Sequence, residues 1–386
     1  MKKNKIGIMT FHAPKNCGSR LQAFALQKTL RDRLGKDSEI INFSNEKQRY
    51  MYSRYVRIHS IKSFAKNVQG FLFGRLLKRH SEDFEKFSTK YLHISEEFYG
   101  DDESLKAIDG DYPILICGSD QVWNIECFDA DDAYYLDFAK KSKKIAYATS
   151  LGGTNLVKKG EATIEKYRKL TEDFVAISVR EHNAQKWMKI ITGKDVMLTL
   201  DPTLLLTKED YDIIAAPRIC EGEYIFWYSF HYMDEVNEIV KNISKKYNLP
   251  VYVIDANMWS KKALFRYGFH ITEHGGPEVF ISAIKYAQLV LTTSFHGTVF
   301  STIYEKPFWY VKTKLSNEDD DRATSLMSQL GVLDRYKTVS EIYESDIIGR
   351  IDYTTSREYV AKLKEKSINY LIESVDRAYR EVEAIG

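Results

Sequence analysis

The segment TTSFHGTVFS, residues 292–301, sets an imidazole, His296, between an apolar run with strand character and an apolar run with helix character. Ser294 or Thr293 can cap a helix beginning near Gly297, and Gly297 lets a ligand approach the backbone closely. The amides of such a first turn, together with the helix dipole, make an anion site. A histidine there can give a proton to a bound anion or take one from an attacking hydroxyl. A lone histidine is more often a satisfied structural residue, but a strand-to-helix corner favours function.

Other polar clusters also follow apolar runs. FHAPKNCGSRLQ carries Asn16 and Gly18, which can form a tight turn leading into a helix; an ordinary strand–helix turn explains them equally well. GSDQVWN groups Asp120, Gln121, Trp123 and Asn124. These make a poor core and a good polar ligand wall, although Trp123 can equally be a packing residue and Asp120 a helix cap. Arg180 directly follows the apolar or small residues 175–179. A guanidinium leaving a buried strand needs an anion, which is either a ligand's carboxylate or phosphate, or, in a salt bridge, Glu181 or a neighbour. No GxGxxG or GxxxxGK[ST] pattern is present, which argues against ordinary dinucleotide or P-loop chemistry.

These corners need a scaffold. Apolar runs at 5–11, 39–43, 113–117, 145–149 and 174–179 read as strands, with a helix at 20–34 between the first two. A second set of strands falls at 224–228, 251–254, 289–292 and 308–311, with helices at 233–247 and 277–287, and a long helix at 356–382. Near-continuous apolar strands separated by helices predict parallel sheets covered on both faces. The chain is therefore α/β, two Rossmann-like doubly wound domains facing a cleft: residues 1–215, residues 216–350, and a C-terminal helix over 351–386 that can pack back on the first domain. In such sheets ligands bind outside the carboxyl ends of the strands.

Composition narrows the class. The 386 residues are 44% hydrophobic and 28% charged, and the net charge of +2 argues against nucleic-acid binding through a broad cationic surface. Four cysteines, Cys17, Cys117, Cys127 and Cys220, form no CxxC pair, and no cluster has recognisable metal-ligand spacing. The basic N-terminus lacks a signal-peptide cleavage site, and no run reaches the ~20 apolar residues of a membrane span. Residues 57–90 read as helical and basic; that face is a solvated surface, with contact to a membrane as the weaker alternative. The 26 Tyr, 20 Phe and 5 Trp can stack on sugars or build the core.

The ordered motifs FHAPKNCGSRLQAFALQ, CGSDQVWN, SVRE, DPTLLL, GPEVFISAIKYA, TTSFHGTVFS with EKPF, and DRATSLMSQLG make the chain resemble the polysaccharide pyruvyl transferase family over most of residues 5–335. The resemblance implies a GT-B-like fold and transfer of pyruvate from phosphoenolpyruvate onto two hydroxyls of a sugar as a cyclic ketal, with release of phosphate. It places His296 on the family's general acid, Arg180 on an arginine associated with phosphoenolpyruvate, and Arg322 on a recurring arginine that meets phosphate or acceptor. Asp120 or Glu181 would take the hydroxyl proton. Some members carry arginine where this chain has Ser294; its work would fall to Arg322, Arg20 or backbone amides. The resemblance also implies no cofactor beyond the donor substrate, and a lipid-linked oligosaccharide acceptor at the cytoplasmic face of the membrane. Two rival readings are a GT-B glycosyltransferase using a nucleotide sugar and a non-enzymatic glycan-binding protein.

Overall fold

The computed structural model describes residues 5–53, 57, 60–313, 319–345, 347–349 and 351–384. Positions 58 and 59 of the expected 57–90 helix, the N-terminal residues 1–4, residue 350 at the expected domain boundary and the last two residues of the expected C-terminal segment lie outside them.

Two all-parallel sheets form the scaffold. The first holds β1 (Ile6–Met9), β2 (Ser38–Phe43), β3 (Ile94–Tyr99), β4 (Ile114–Cys117), β5 (Lys143–Thr149), β6 (Phe174–Val179) and β7 (Met197–Leu198), in the order β3-β2-β1-β4-β5-β6-β7. The second holds β8 (Ile225–Tyr228), β9 (Val251–Val253), β10 (His270–Ile271), β11 (Leu289–Thr292), β12 (Phe308–Lys312) and β13 (Tyr336–Thr338), in the order β10-β9-β8-β11-β12-β13. The strand order of each sheet reverses between its first strand and the one that returns beside it. Ile6–Met9 pairs in register with Ile114–Cys117, and Leu289–Thr292 with Ile225–Tyr228. Each of these four strands is buried along its whole length, so an unbroken apolar sequence is what the position demands.

The nine strands predicted from apolar runs are all present. Four more, β3, β7, β10 and β13, were not predicted. They are short or lie at sheet edges, and their sequences are correspondingly polar: β3 reads ISEEFY and leaves both glutamates exposed. The expected helix over 57–90 is two helices, Ile61–Leu72 and Gly74–Tyr91, broken at Phe73. The first starts at a reciprocal cap between Ser60 and Ser63.

The helix Gly74–Tyr91 leaves the first half of the chain and packs against the second. His80 Nε2 lies 3.1 Å from the Thr272 carbonyl, and Asp83 accepts from the Gly275 amide at 3.1 Å. The C-terminal helix Thr354–Glu383 runs back across the first sheet, against β4, β5 and β6, and buries Ile368, Leu371, Val375 and Ala378 there. No helix among the described residues is long and apolar enough to cross a membrane.

Leu371 is fully buried in the core shared by the first sheet and the C-terminal helix. Leu371→Ala removes that packing and leaves a void, so chemical denaturation should show a loss of about 2–5 kcal/mol. A loss well under 1 kcal/mol would mean that the helix does not hold the sheet.

Candidate functional site

The carboxyl ends of the central strands of both sheets point into one cleft, and the loops leaving them line a cavity of about 170 Å³. Asn16 follows β1, Asp120 and Gln121 follow β4, and Arg180 follows β6. From the second sheet come Phe230 and His231 after β8, Thr293, Ser294 and His296 after β11, and Asp320 and Arg322 beyond β12.

Arg180 is the hub. It is 3% exposed. Its Nη1 donates to Asp201 Oδ2 at 2.7 Å, its Nε to Glu181 Oε1 at 3.1 Å, and its Nη2 to Asp120 Oδ1 at 3.4 Å. The face of the guanidinium lies 4.2 Å from the centroid of the Phe295 ring. Of the two readings of Arg180, the structure shows the ion pair, with Glu181 and with two further carboxylates, Asp201 and Asp120.

Asp201 links Arg180 to His296. Its Oδ2 accepts from Arg180 and, at 3.0 Å, from Ser119 Oγ. Its Oδ1 accepts from the Thr203 amide at 3.0 Å and from Thr203 Oγ1 at 2.6 Å. His296 Nε2 lies 3.7 Å from the same Oδ1, close enough for charge attraction and too far for a hydrogen bond. That nitrogen is buried and has no hydrogen-bond partner among the described residues. Burial by itself would raise the Asp201 carboxyl; His296, Arg180 and Thr203 outweigh it and hold the group far below the usual carboxylate range. Glu181 behaves oppositely. Burial dominates, Arg180 offsets only part of it, and the carboxyl is pushed up to about 7.

His296 rests on the other half of the chain. The helix Cys17–Leu34 begins beneath the imidazole, and a Cβ on Gly18 would overlap the ring. Asn16 caps that helix, accepting from Gly18 N at 2.9 Å and Ser19 N at 3.2 Å. Ser19 Oγ then donates to Asp120 Oδ2 at 2.5 Å, which ties the helix to the carboxylate cluster. Gly18 therefore serves the close approach of the histidine. Ser294 caps the helix Phe295–Ile303, accepting from Gly297 N at 3.4 Å. That helix starts two residues earlier than the sequence suggested.

Arg322 lines the cavity in a two-point pair with Asp320: Nε to Oδ1 at 2.7 Å and Nη2 to Oδ2 at 2.6 Å. The helix that it opens, Arg322–Gln329, locks the halves together. His182 Nδ1 lies 2.6 Å from Ser325 Oγ, and Gln329 Nε2 donates to the Arg180 carbonyl at 3.2 Å.

The remaining predicted site residues stand elsewhere. Gly297 does not open the backbone to a ligand; a Cβ there would overlap Thr292 Oγ1, so it serves close helix–strand packing. Trp123 is fully buried, stacked on Tyr135 at 4.9 Å, and donates to the Tyr134 carbonyl: a packing residue, not a ligand wall. Asn124 is occupied with Gln121 Oε1 and Thr154 Oγ1. Arg20 is buried away from the cavity, donating to the Ala13 and Pro14 carbonyls and to Ser88. Glu181 is fully buried behind Arg180 rather than on the cavity wall.

Sequence reasoning missed Asp201, Ser119, Ser19 and Asp320. Asp201 opens the DPTLLL motif, but the strand before it, Met197–Leu198, is one that the apolar runs did not reveal. Among the described residues no group of three or more His, Cys, Asp or Glu side chains is arranged to hold a metal ion.

A second, larger cavity of about 460 Å³ adjoins the first and shares Asn16 and Phe230 with it. Tyr52, Phe84 and Tyr228 supply aromatic walls, and Lys15, Gln69 and Asp255 supply polar groups.

The sequence model of a family described as polysaccharide pyruvyl transferase matches residues 16–314. No curated protein sequence matches the chain. Among solved structures, a putative UDP-N-acetylglucosamine 2-epimerase from Listeria monocytogenes aligns with a TM-score of 0.56 at 10% identity, covering 99% of this chain and 98% of that one. A UDP-GlcNAc 2-epimerase from Neisseria meningitidis bound to UDP-GlcNAc gives 0.48 at 13% identity, covering 99% and 100%. A glycosyltransferase from Rickettsia africae gives 0.48 at 10% identity, covering 99% of each. The arrangement of the two sheets is GT-B-like.

Glu181 supplies a test of the buried cluster. Its folded value of about 7 lies above the ordinary 4.5. The folded state therefore binds more protons than the unfolded chain between those values, and stability falls as pH rises through that window. Thermal unfolding from pH 5 to pH 8 should show this decline in the wild type and a flatter profile in Glu181→Gln. An identical slope in both would remove Glu181 as its source.

Proposed function

We propose, from the premise that this chain belongs to the polysaccharide pyruvyl transferase family, that it transfers pyruvate from phosphoenolpyruvate to two hydroxyls of a sugar in a cell-surface polysaccharide or its lipid-linked precursor. The observation that carries the reading is His296, paired with Asp201 and facing Arg322 across a cavity of only about 170 Å³. That volume suits a three-carbon phosphate ester. It is smaller than the roughly 300–1,000 Å³ of sites that enclose drug-sized ligands, among which a nucleotide sugar belongs.

The proposed chemistry uses the groups present. His296 gives a proton to the methylene carbon of phosphoenolpyruvate, which makes C2 electrophilic. A sugar hydroxyl attacks C2, the C2–O bond to phosphate breaks, and phosphate leaves. A second hydroxyl then closes the ketal. The two hydroxyl protons pass out through a base; of the two cavity-lining carboxylates, Asp120 takes that role, because Asp320 is held at two points by Arg322. Asp201 positions the imidazole and stays ionised while doing so. Both arginines already have carboxylate partners, so the donor phosphate must take a partner's place. Arg322, which among the described residues pairs with Asp320 alone, can exchange it for phosphate, whereas Arg180 is held on three sides. The larger cavity, walled by tyrosine and phenylalanine, receives the acceptor sugar.

Thermal unfolding with phosphoenolpyruvate, with UDP and with buffer alone tests the donor. A ligand that binds only the folded state adds RT ln(1 + [L]/Kd), about 2.7 kcal/mol at a hundredfold excess over Kd. Phosphoenolpyruvate should stabilise the wild type and not Arg322→Ala, with UDP inert; stabilisation by UDP alone would overturn the reading in favour of a nucleotide-sugar glycosyltransferase. Arg180→Ala is a poor probe, because it leaves three buried carboxylates without their cation.

In an acceptor-dependent phosphate-release assay, His296→Gln should lower turnover by about 10²–10⁴ while phosphoenolpyruvate still stabilises the protein. Near-full turnover in that variant would remove His296 as the acid.

A further inference from the structure

The helix Ile61–Leu72 turns its polar and small residues inward and its apolar residues outward. Ser63 and Gly70 are buried against the protein. Ile61, Phe64, Val68, Phe71 and Leu72 are 88%, 56%, 40%, 82% and 66% exposed. Their spacing places them on one stripe of the helix, opposite the buried side. Single exposed apolar residues are ordinary, but a continuous stripe with two phenylalanines marks an interaction surface.

The sequence on either side of the stripe carries charge of one sign. Residues 47–81 contain nine Lys and Arg and no Asp or Glu. A solvated basic face was the sequence expectation; the helix instead presents an apolar stripe within a cationic surround. The helix is also fixed in place. Lys66 Nζ donates to the Tyr50 and Met51 carbonyls at 2.9 and 3.2 Å, and Gln69 Nε2 donates to Ser260 Oγ at 2.7 Å on the second half of the chain.

We propose that this stripe docks on an anionic lipid bilayer, with the helix lying in the interface plane. A bilayer offers both requirements together, an apolar interior and a negatively charged rim, and clusters of Lys and Arg beside an apolar helix face match it. A second copy of the chain does not, because a two-fold interface would set this cationic surround against itself. Lys66 and Gln69 also line the larger cavity. Docking would therefore hold the mouth of that cavity at headgroup level, where a lipid-linked acceptor presents its sugar. That consequence rests on the acceptor reading given above; the docking itself does not.

The test is co-sedimentation of the full-length protein with vesicles of phosphatidylglycerol and phosphatidylcholine in equal parts, or of phosphatidylcholine alone. The wild type should pellet with the mixed vesicles and bind the neutral ones at least about tenfold more weakly, since Lys and Arg beside the stripe are drawn to anionic lipid. Phe64→Ser with Phe71→Ser should release the protein, and Lys62→Glu with Arg75→Glu should release it independently. None of these side chains lines either cavity, so both variants should keep the unfolding midpoint and any stabilisation by phosphoenolpyruvate. That separates failure of docking from failure of the donor reading. Wild-type protein remaining in the supernatant, or both variants binding as well as the wild type, would overturn the proposal. So would a dimer in sedimentation that the phenylalanine variant disperses, which would assign the stripe to a second copy.

Discussion

Arg180 stands at the end of β6 with its donor edge committed to Asp201, Glu181 and Asp120 and its face against Phe295. A guanidinium is suited to this because it is planar, stays charged when buried, donates along its rim and stacks on its face. One positive charge cannot neutralise three buried carboxylates, and the cluster divides the burden unequally. Asp201, with Arg180, Thr203 and His296 around it, stays ionised, while burial lifts Glu181 toward neutrality. Removing the cation would leave buried negative charge uncompensated, which costs far more than the net value of any one pair.

The strand order makes the cluster. Asp120 follows β4, Arg180 and Glu181 follow β6, and Asp201 follows β7, so parallel strands on one side of the sheet deliver their polar ends to one place. The second sheet contributes Phe295 and His296 from a single turn. Phe295 covers the arginine, and His296 reaches past it to Asp201, seated on Gly18. The imidazole is thus held by both halves of the chain. The contacts of Ser325 and Gln329 with His182 and the Arg180 carbonyl hold those halves in the relation that the imidazole requires.

The central strands were legible because full burial on both faces leaves an unbroken apolar run in the sequence. The edge strands were not, because half of such a strand meets solvent. At the site, His296, Asp120 and Arg180 were singled out by position, since each comes after a strand, and Arg322 by the family resemblance; all four line the cavity. Partnership was not legible. Nothing local to Arg180 shows that Asp201, 21 residues on, is its nearest carboxylate. Trp123 and Gly297 misled for the same reason: each sits in a polar motif, and only the packing of Tyr135 on one and Thr292 on the other reveals a structural duty. The family resemblance supplied order and spacing, but DPTLLL entered as a pattern and its aspartate went unassigned.

The two cavities differ in a way that follows from what bounds them. The smaller lies where both sheets end, so its walls are strand-end residues and its charges are fixed in pairs. Arg322 there is half-buried and, among the described residues, pairs with the single carboxylate of Asp320, whereas Arg180 is held by three. The larger is bounded on one side by the helices Ile61–Leu72 and Gly74–Tyr91, which reach across to the second half, and on the other by the loops after β8 and β9. Its walls mix the aromatic rings of Tyr52, Phe84, Tyr228 and Phe230 with charged groups such as Lys15, Lys66 and Asp255. Asn16 and Phe230 border both spaces. Those two side chains are where the strand-end cavity and the helix-walled cavity adjoin.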